Sequence, residues 1–250
     1  MFGPALFSVN LSDPPTVMTQ SPEEVHPAAE AGKRRAAEGA LALVRDIRFL
    51  GVGTGSTVRY FIEGLPGIQQ HFEAAVASSE QTAALLRQAG IRVLDLNETG
   101  DLDLYVDGAD AFDPHFRLIK GHGGALTREK ILATASRKFV VIADSRKRFN
   151  RLADSVAVPV EVLPFARSFT ARQIVRLGGA PAWREHYLTD GGNQILDVLH
   201  LPLNDPSGME IQLKSIPGVV ESGIFAHRIP ELIFVAGGSS TVERLERPDL

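Results

Sequence analysis

Between residues 28 and 48 small and apolar residues return at helical spacing. Ala36, Ala37, Ala40, Leu41 and Val44 fall on one face, which predicts an amphipathic opening helix. The period then changes. IRFLGV (47–52) reads as a buried strand, GTGST (53–57) as a turn, and VRYFIEGL (58–65) as a helix whose Val58, Phe61, Ile62 and Leu65 follow the i, i+3, i+4, i+7 rule. The unit recurs: EAAVAS (73–78) predicts a strand, Ser79 a helix N-cap, TAALLRQA a helix stopped by Gly90, and IRVLDL (91–96) another strand. LDLYVD (102–107), a helix after GHGGA, and KFVVIAD (138–144) extend the series. Strands alternating with helices in this way imply a mostly parallel sheet covered on both faces, with ligands gathering at the carboxyl ends of the strands. GTGST, Asp107 and Asp144 are thereby expected along one rim.

Around Pro159 this rhythm stops. VPVEVLP (158–164) reads as a strand, ARSFTARQIVRLGG (166–179) as a helix, REHYLTDGGNQILDV (184–198) as a hairpin around Gly191 and Gly192, and residues 207–216 as a second helix. That order describes a small α+β domain. ELIFVAGG (231–238) is again a buried strand with a Gly turn, expected to rejoin the first sheet. The domain boundaries follow: 28–152 with 231–250 for the sheet domain, 153–230 for the smaller one. Residues 1–27 are expected to be a disordered extension. Their first 17 positions carry no Lys or Arg, unlike a secretory signal, and Met18 opens a stretch that resembles an ordinary cytoplasmic start.

Composition narrows the function classes. The chain has 250 residues, 44% of them hydrophobic, enough for one large core or two modest ones. Its formal charge of -4, with basic residues scattered, argues against nucleic acid as a partner. It has no cysteine, which excludes disulfides and thiolate metal sites and suits a reducing compartment, the cytoplasm. The longest apolar runs, FVVIA (139–143) and LIFVA (232–236), are strand-length, far short of the roughly 20 residues of a membrane helix. No membrane partner is expected.

Three stretches could carry chemistry. A Gly-rich turn opening a helix presents free N–H groups, so Thr54, Gly55, Ser56 and Thr57 could cradle a phosphate; the alternative is a tight turn with a hydroxyl cap. It is neither GxGxxG nor a Walker loop, which would need a Lys. DGAD (107–110) places two carboxylates three apart beyond a strand, where they could face one pocket, bind a metal, or simply cap a turn. A metal is disfavoured because no His pair stands at ligand spacing. In IKGHGGALTREK (119–130), Lys120 precedes a glycine loop and Glu129 lies about one turn into a helix; an Arg128-Glu129-Lys130 run is ordinarily a solvated face. His122 is either catalytic or, more often for a lone His, a bystander. TDGGN (189–193) and IPGVVESGIF (216–225) read more simply as turn and packing elements.

Taken in order, GVGTGST, DGAD, KGHGGALTREK, IADSRK, PVEVLP, TDGGN and IPGVVESGIF resemble ribose-5-phosphate isomerases of the A type, over about Lys33 to Val242. The resemblance implies a Rossmann-like parallel-sheet catalytic domain with a smaller ferredoxin-like α+β lid domain, no cofactor, a pentose phosphate substrate, and a homodimer or homotetramer. It implies a substrate loop at Thr54, Gly55, Ser56 and Thr57, with Lys147 and Lys33 adding charge for the phosphate. Asp107 and Asp110, flanking Gly108 and Ala109, match the pair that holds sugar hydroxyls and assists ring opening. Lys120, Gly121, His122 and Gly123 match the lining of the reacting end, and Glu129 matches the general base. The chain departs from the family pattern at Ala111, usually Glu, at His122, often Gly, and at Gly191, usually Asn. Two rivals share parts of this pattern. A coenzyme A transferase could use a reactive Glu but has no call for DGAD and Lys120, and a sugar-phosphate sensor would need a basic helix-turn-helix that the chain lacks.

Overall fold

Successive residues of the long apolar strands pack into different cores, as a two-residue side-chain period demands of a strand covered on both faces. The computed structural model describes residues 27–237 and 242–248, so the expected N-terminal extension lies, apart from Pro27, outside the described residues. The chain runs α1 (Pro27–Leu41), β1 (Phe49–Val52), α2 (Ser56–Gly64), β2 (Ala74–Ala77), α3 (Glu80–Gln88), α4 (Leu96–Thr99) and β3 (Leu102–Asp107). Short strands β4 (Ala111–Phe112) and β5 (Leu118–Ile119) follow, then α5 (Leu126–Thr134) and β6 (Ser136–Asp144). After an antiparallel domain come β11 (Ile224–Phe225), β12 (Leu232–Ala236) and β13 (Val242–Glu246).

The main sheet has the order β13-β12-β6-β3-β1-β2 and is parallel except for β13. Leu50, Val52, Leu104, Val106, Val140 and Ile142 point to the face covered by α1, α2 and α3, where Ala36, Ala40, Phe61 and Leu86 meet them. Phe49, Leu102, Tyr105, Phe139 and Val141 point to the opposite face and pack with Leu132 of α5, Phe112 and Phe225. Ser79 caps α3 by accepting from Thr82 N, and Gly90, at φ +76°, turns the chain out of it.

The smaller domain comprises β7 (Val158–Val162), α6 (Arg167–Arg176), β8 (Ala180–Trp183), β9 (Gln194–Leu199), α7 (Pro206–Lys214) and β10 (Val219–Ser222). Its antiparallel sheet has the order β10-β7-β9-β8, the β-α-β-β-α-β arrangement of ferredoxin-like folds. Val158, Val160, Val162, Ile174, Leu196, Met209 and Leu213 make its core. A third sheet, β11-β5-β4, gives Phe112, Leu118 and Phe225 to the core under the main sheet and Ala111, Ile119 and Ile224 to that of the smaller domain.

Several expectations need correction. IRVLDL is not a strand. Val93 makes a single bridge to Ala75, after which Asp95 and Glu98 form a reciprocal capping box that turns the segment into α4. The opening helix stops at Leu41 rather than 48. The hairpin contains the expected turn, with Thr189 N donating to Asn193 O, but β9 pairs with Ala180–Trp183, upstream of REHYL. Residues 185–188 leave the sheet because Tyr187 reaches out to donate to Gly123 O and His186 adopts φ +56°. Strand β13 and the three-stranded sheet were not foreseen. ELIFVA does rejoin the main sheet, beside β6.

Phe139 is fully buried and stacked on Tyr105, with ring centroids 5.2 Å apart. Phe139→Ala is expected to lower unfolding stability by about 3–5 kcal/mol in urea titrations. A loss below about 1 kcal/mol would show that this face of the sheet is not closely packed.

Candidate active site

Three strand ends of the parallel sheet meet the start of α2 and the loop before α5 around a cavity of about 220 Å³. Its lining includes Lys33, the turn Thr54 to Val58, Gly108 to Asp110, Lys120 to Gly123, Glu129, and Ala143, Asp144, Arg146 and Lys147. Every residue anticipated from the sequence lines it except Asp107.

Helix α2 begins without a side-chain cap, and Gly55 stands at its N-cap with φ +132°, a conformation open to glycine and strained for other residues. The N–H groups of its first turn have no helical partners and carry the positive end of the helix dipole. Lys33, Arg146 and Lys147 line the same cavity. Lys33 is paired with Glu30 at 2.8 Å and Arg146 with Asp144 at 2.8 Å, so these two cations each have a carboxylate beside them. The Thr54 side chain points elsewhere: its hydroxyl joins those of Ser78, Ser79 and Thr82, which tie the turn to β2 and α3.

A buried charge cluster also borders the cavity. Lys120 follows β5 and is fixed by its backbone N donating to Gly223 O at 2.9 Å. Its Nζ lies 2.8 Å from Asp107 Oδ2 and donates to Gly108 O at 2.6 Å, while Glu129 Oε2 is 3.3 Å away. Asp107, expected to face sugar hydroxyls, does not reach the cavity. It is 0% exposed, and both its oxygens are engaged: Oδ1 accepts from Thr54 N and Gly108 N, and Oδ2 meets Lys120 and the Tyr105 hydroxyl. A Cβ on Gly53 would lie 1.9 Å from Asp107 Oδ1, so glycine is required there. Asp110 does line the cavity, accepting from His122 N at 2.9 Å. The His122 ring is within 3.2 Å of Ala157 O.

Glu129 sits in the first turn of α5, only 3% exposed. Among the described residues its Oε2 accepts no hydrogen bond: the Lys120 ammonium is near enough to attract it, but directs its short bonds to Asp107 and Gly108 O. Burial therefore raises its carboxyl group, Lys120 opposes this, Asp107 and Asp110 add to it, and the result is pushed up to about 8. Burial alone would lower Lys120, but Asp107 and Glu129 outweigh it and hold the ammonium above its usual value. The Arg128-Glu129-Lys130 run is thus no solvated face. Arg128 pairs with Glu80, and Lys130 with Glu210 and Glu221.

A buried, underbonded carboxylate beside a fixed ammonium, facing an uncapped helix start across one cavity, is what proton transfer on an anionic substrate requires. The family model of ribose 5-phosphate isomerase A (phosphoriboisomerase A) matches residues 74–239. The chain belongs to this family. It is 51% identical over 215 residues to ribose-5-phosphate isomerase A of Acidithiobacillus ferrooxidans, covering 86% of this chain and 98% of that one. It is 52% identical over 207 residues to the Legionella pneumophila protein of the same name, covering 83% and 95%. Among solved structures, ribose 5-phosphate isomerase A of Neisseria gonorrhoeae superposes with a TM-score of 0.84 at 38% identity, over 88% of this chain and 98% of that one. A D-ribose-5-phosphate isomerase in complex with phospho-erythronic acid gives 0.83 at 36%, over 88% and 99%.

Asp144 was expected on the rim but given no role, and Arg146 was not anticipated, although both lie in the IADSRK stretch that yielded Lys147. The family's usual Glu after DGAD is replaced by Ala111, which is fully buried in β4 and leaves no polar group to satisfy.

The sign of the Glu129 shift gives a stability test. Its folded value lies above the ordinary 4.5, so its contribution to stability is complete below about 4.5 and is lost as pH rises through about 8. Glu129→Gln escapes that loss. Its melting temperature relative to wild type should move in its favour between pH 5 and 9, by at least about 2–4 °C if the effect exceeds about 1 kcal/mol. A pH-independent difference would contradict the burial argument.

Proposed function

We propose that the chain interconverts D-ribose 5-phosphate and D-ribulose 5-phosphate through an enediol(ate), the aldose-ketose isomerisation of the non-oxidative pentose phosphate pathway, with Glu129 carrying the proton. The observation that carries this reading is the unbonded Oε2 of buried Glu129 beside Lys120, across the cavity from the start of α2.

The phosphate binds the N–H groups of Gly55, Ser56 and Thr57, with Lys33, Lys147 and Arg146 supplying charge. Asp110 and the loop Gly121-His122-Gly123, with Gly108 and Ala109, hold the hydroxyls and assist ring opening. Glu129 takes the proton from carbon 2 of the open aldose as the carbonyl oxygen on carbon 1 gains negative charge and then a proton. Lys120 stabilises that charge from a fixed position. The proton that the carbon 1 oxygen gains is the one the carbon 2 hydroxyl gives up, and return of the Glu129 proton to carbon 1 completes the ketose. Asp107 acts as a positioning residue: it orients Lys120 and the phosphate turn together. Distant phosphate contacts supply orientation for the reacting carbons.

In this reading residues 153–230 form a lid over a site built by the sheet domain. The setting is cytoplasmic, supported by the cysteine-free composition and the bacterial relatives. Self-association into a dimer or tetramer suits the apolar side chains of Phe165, Phe169 and Trp183, exposed on the smaller domain.

Glu129→Gln should lose at least about a hundredfold in kcat, the usual loss for a general base, while phospho-erythronic acid still binds by calorimetry. Retention of more than about a tenth of turnover would exclude Glu129 as the base. For wild type, kcat/KM should rise with pH through about 8, because the base must be ionised, and remain high until Lys120 deprotonates above its ordinary range. A midpoint in the ordinary carboxylate range would contradict this. Activity should also survive exhaustive chelation, since among the described residues no group of three His, Cys, Asp or Glu could hold a metal ion. Abolition by EDTA with rescue by a divalent ion would overturn the metal-free mechanism.

A further inference from the structure

Glu161 is another buried carboxylate, 3% exposed, and the chemistry above does not use it. It lies on β7 of the smaller domain. Among the described residues its hydrogen-bond donors are all neutral: Oε2 accepts from the Thr127 hydroxyl, and Oε1 from the Thr189 hydroxyl at 2.8 Å and the Asn193 amide at 2.9 Å. Thr189 Oγ in turn accepts from Asn193 N at 3.1 Å, so the TDGGN turn locks the carboxylate's orientation. Burying a carboxylate among neutral donors is costly compared with an apolar side chain of similar size. Fold alone gives little reason to keep it.

Thr127 supplies the reason. It stands two residues before Glu129, in the first turn of α5, and the N-cap of that helix, Ala125, provides no side-chain cap. The turn is instead held from outside. Thr127 is tied to Glu161, and Lys130 donates to Glu210, Glu221 and Ile224 O at 2.7, 3.0 and 2.7 Å. Glu129, between these two tethers, accepts no hydrogen bond at Oε2 that would fix it directly.

We infer that Glu161 is a positioning residue for proton transfer, setting through the Thr127 hydroxyl where the Glu129 carboxylate stands relative to the reacting carbon. This rests on Glu129 as the proton carrier. TDGGN, read from sequence as a turn, is then the outer layer of the catalytic apparatus. An error of about 1 Å in such placement can cost about a hundredfold in rate while leaving the phosphate contacts alone.

Thr127→Val keeps the shape and removes the hydroxyl; Thr127→Ser keeps the hydroxyl. Steady-state kinetics with ribose 5-phosphate should show kcat of Thr127→Val reduced about tenfold or more with KM within about twofold, whereas Thr127→Ser stays within about threefold of wild type. Glu161→Gln should match Thr127→Val, and the double variant should lose no more than the worse single one, because both break one link. The inference is overturned if folded Thr127→Val keeps kcat within about threefold of wild type, if Thr127→Ser loses as much as Thr127→Val, or if the losses add. Should Glu161→Gln fail to fold, the Val and Ser variants of Thr127 decide alone. Glu129→Gln in the same assay separates the two readings: if it retains turnover the proton-carrier reading fails, and if it is inactive while Thr127→Val is normal only the positioning role fails.

Discussion

One ammonium, that of Lys120, lies between two buried carboxylates and directs its short hydrogen bonds toward only one of them. Asp107 receives it at 2.8 Å and Glu129 is left at 3.3 Å with an oxygen that accepts nothing. Water excluded from this volume can neither solvate Glu129 nor screen Lys120, so one carboxylate stays a firm anchor and the other becomes a base near neutrality. Two like groups thus acquire different roles from their surroundings.

The rest of the molecule can be read as the means of keeping that asymmetry. Gly53 lets Asp107 approach the phosphate turn, so the residue that orients Lys120 also receives Thr54 N. The small sheet β11-β5-β4 presents Lys120 at a strand end and ties it to Gly223, and the antiparallel domain holds α5 through Lys130. The parallel sheet supplies a rim where the helix start and the charge cluster face one cavity.

The alternation of strand and helix, the turn at GTGST and the buried runs at 139–143 and 232–236 were legible because period and length decide them locally. The apolar alternation of IRVLDL has a strand's period, and the capping box of Asp95 and Glu98 that turns it into α4 was not anticipated. The edge strand β13 and the pairing of Ala180–Trp183 with β9 depend on partners distant in sequence. Motif order pointed to the residues around the cavity, yet not to which way each side chain turns. Asp107 and Thr54 belong to the motifs and direct their polar atoms into the protein, whereas Arg146, beside the anticipated Lys147, lines the cavity. Glu129 illustrates the limit most clearly: a charged triplet on a helix has the composition of a solvated face, and only tertiary contacts to Arg128 and Lys130 reveal that it is buried.

A single buried carboxylate that moves a carbon-bound proton leaves a direct signature in isotope exchange in deuterated water. With ribose 5-phosphate and wild-type protein, deuterium should appear on carbon 1 of the ketose and on carbon 2 of recovered aldose, and Glu129→Gln should incorporate none above the uncatalysed rate. Exchange by the Gln variant at the wild-type rate would contradict the account.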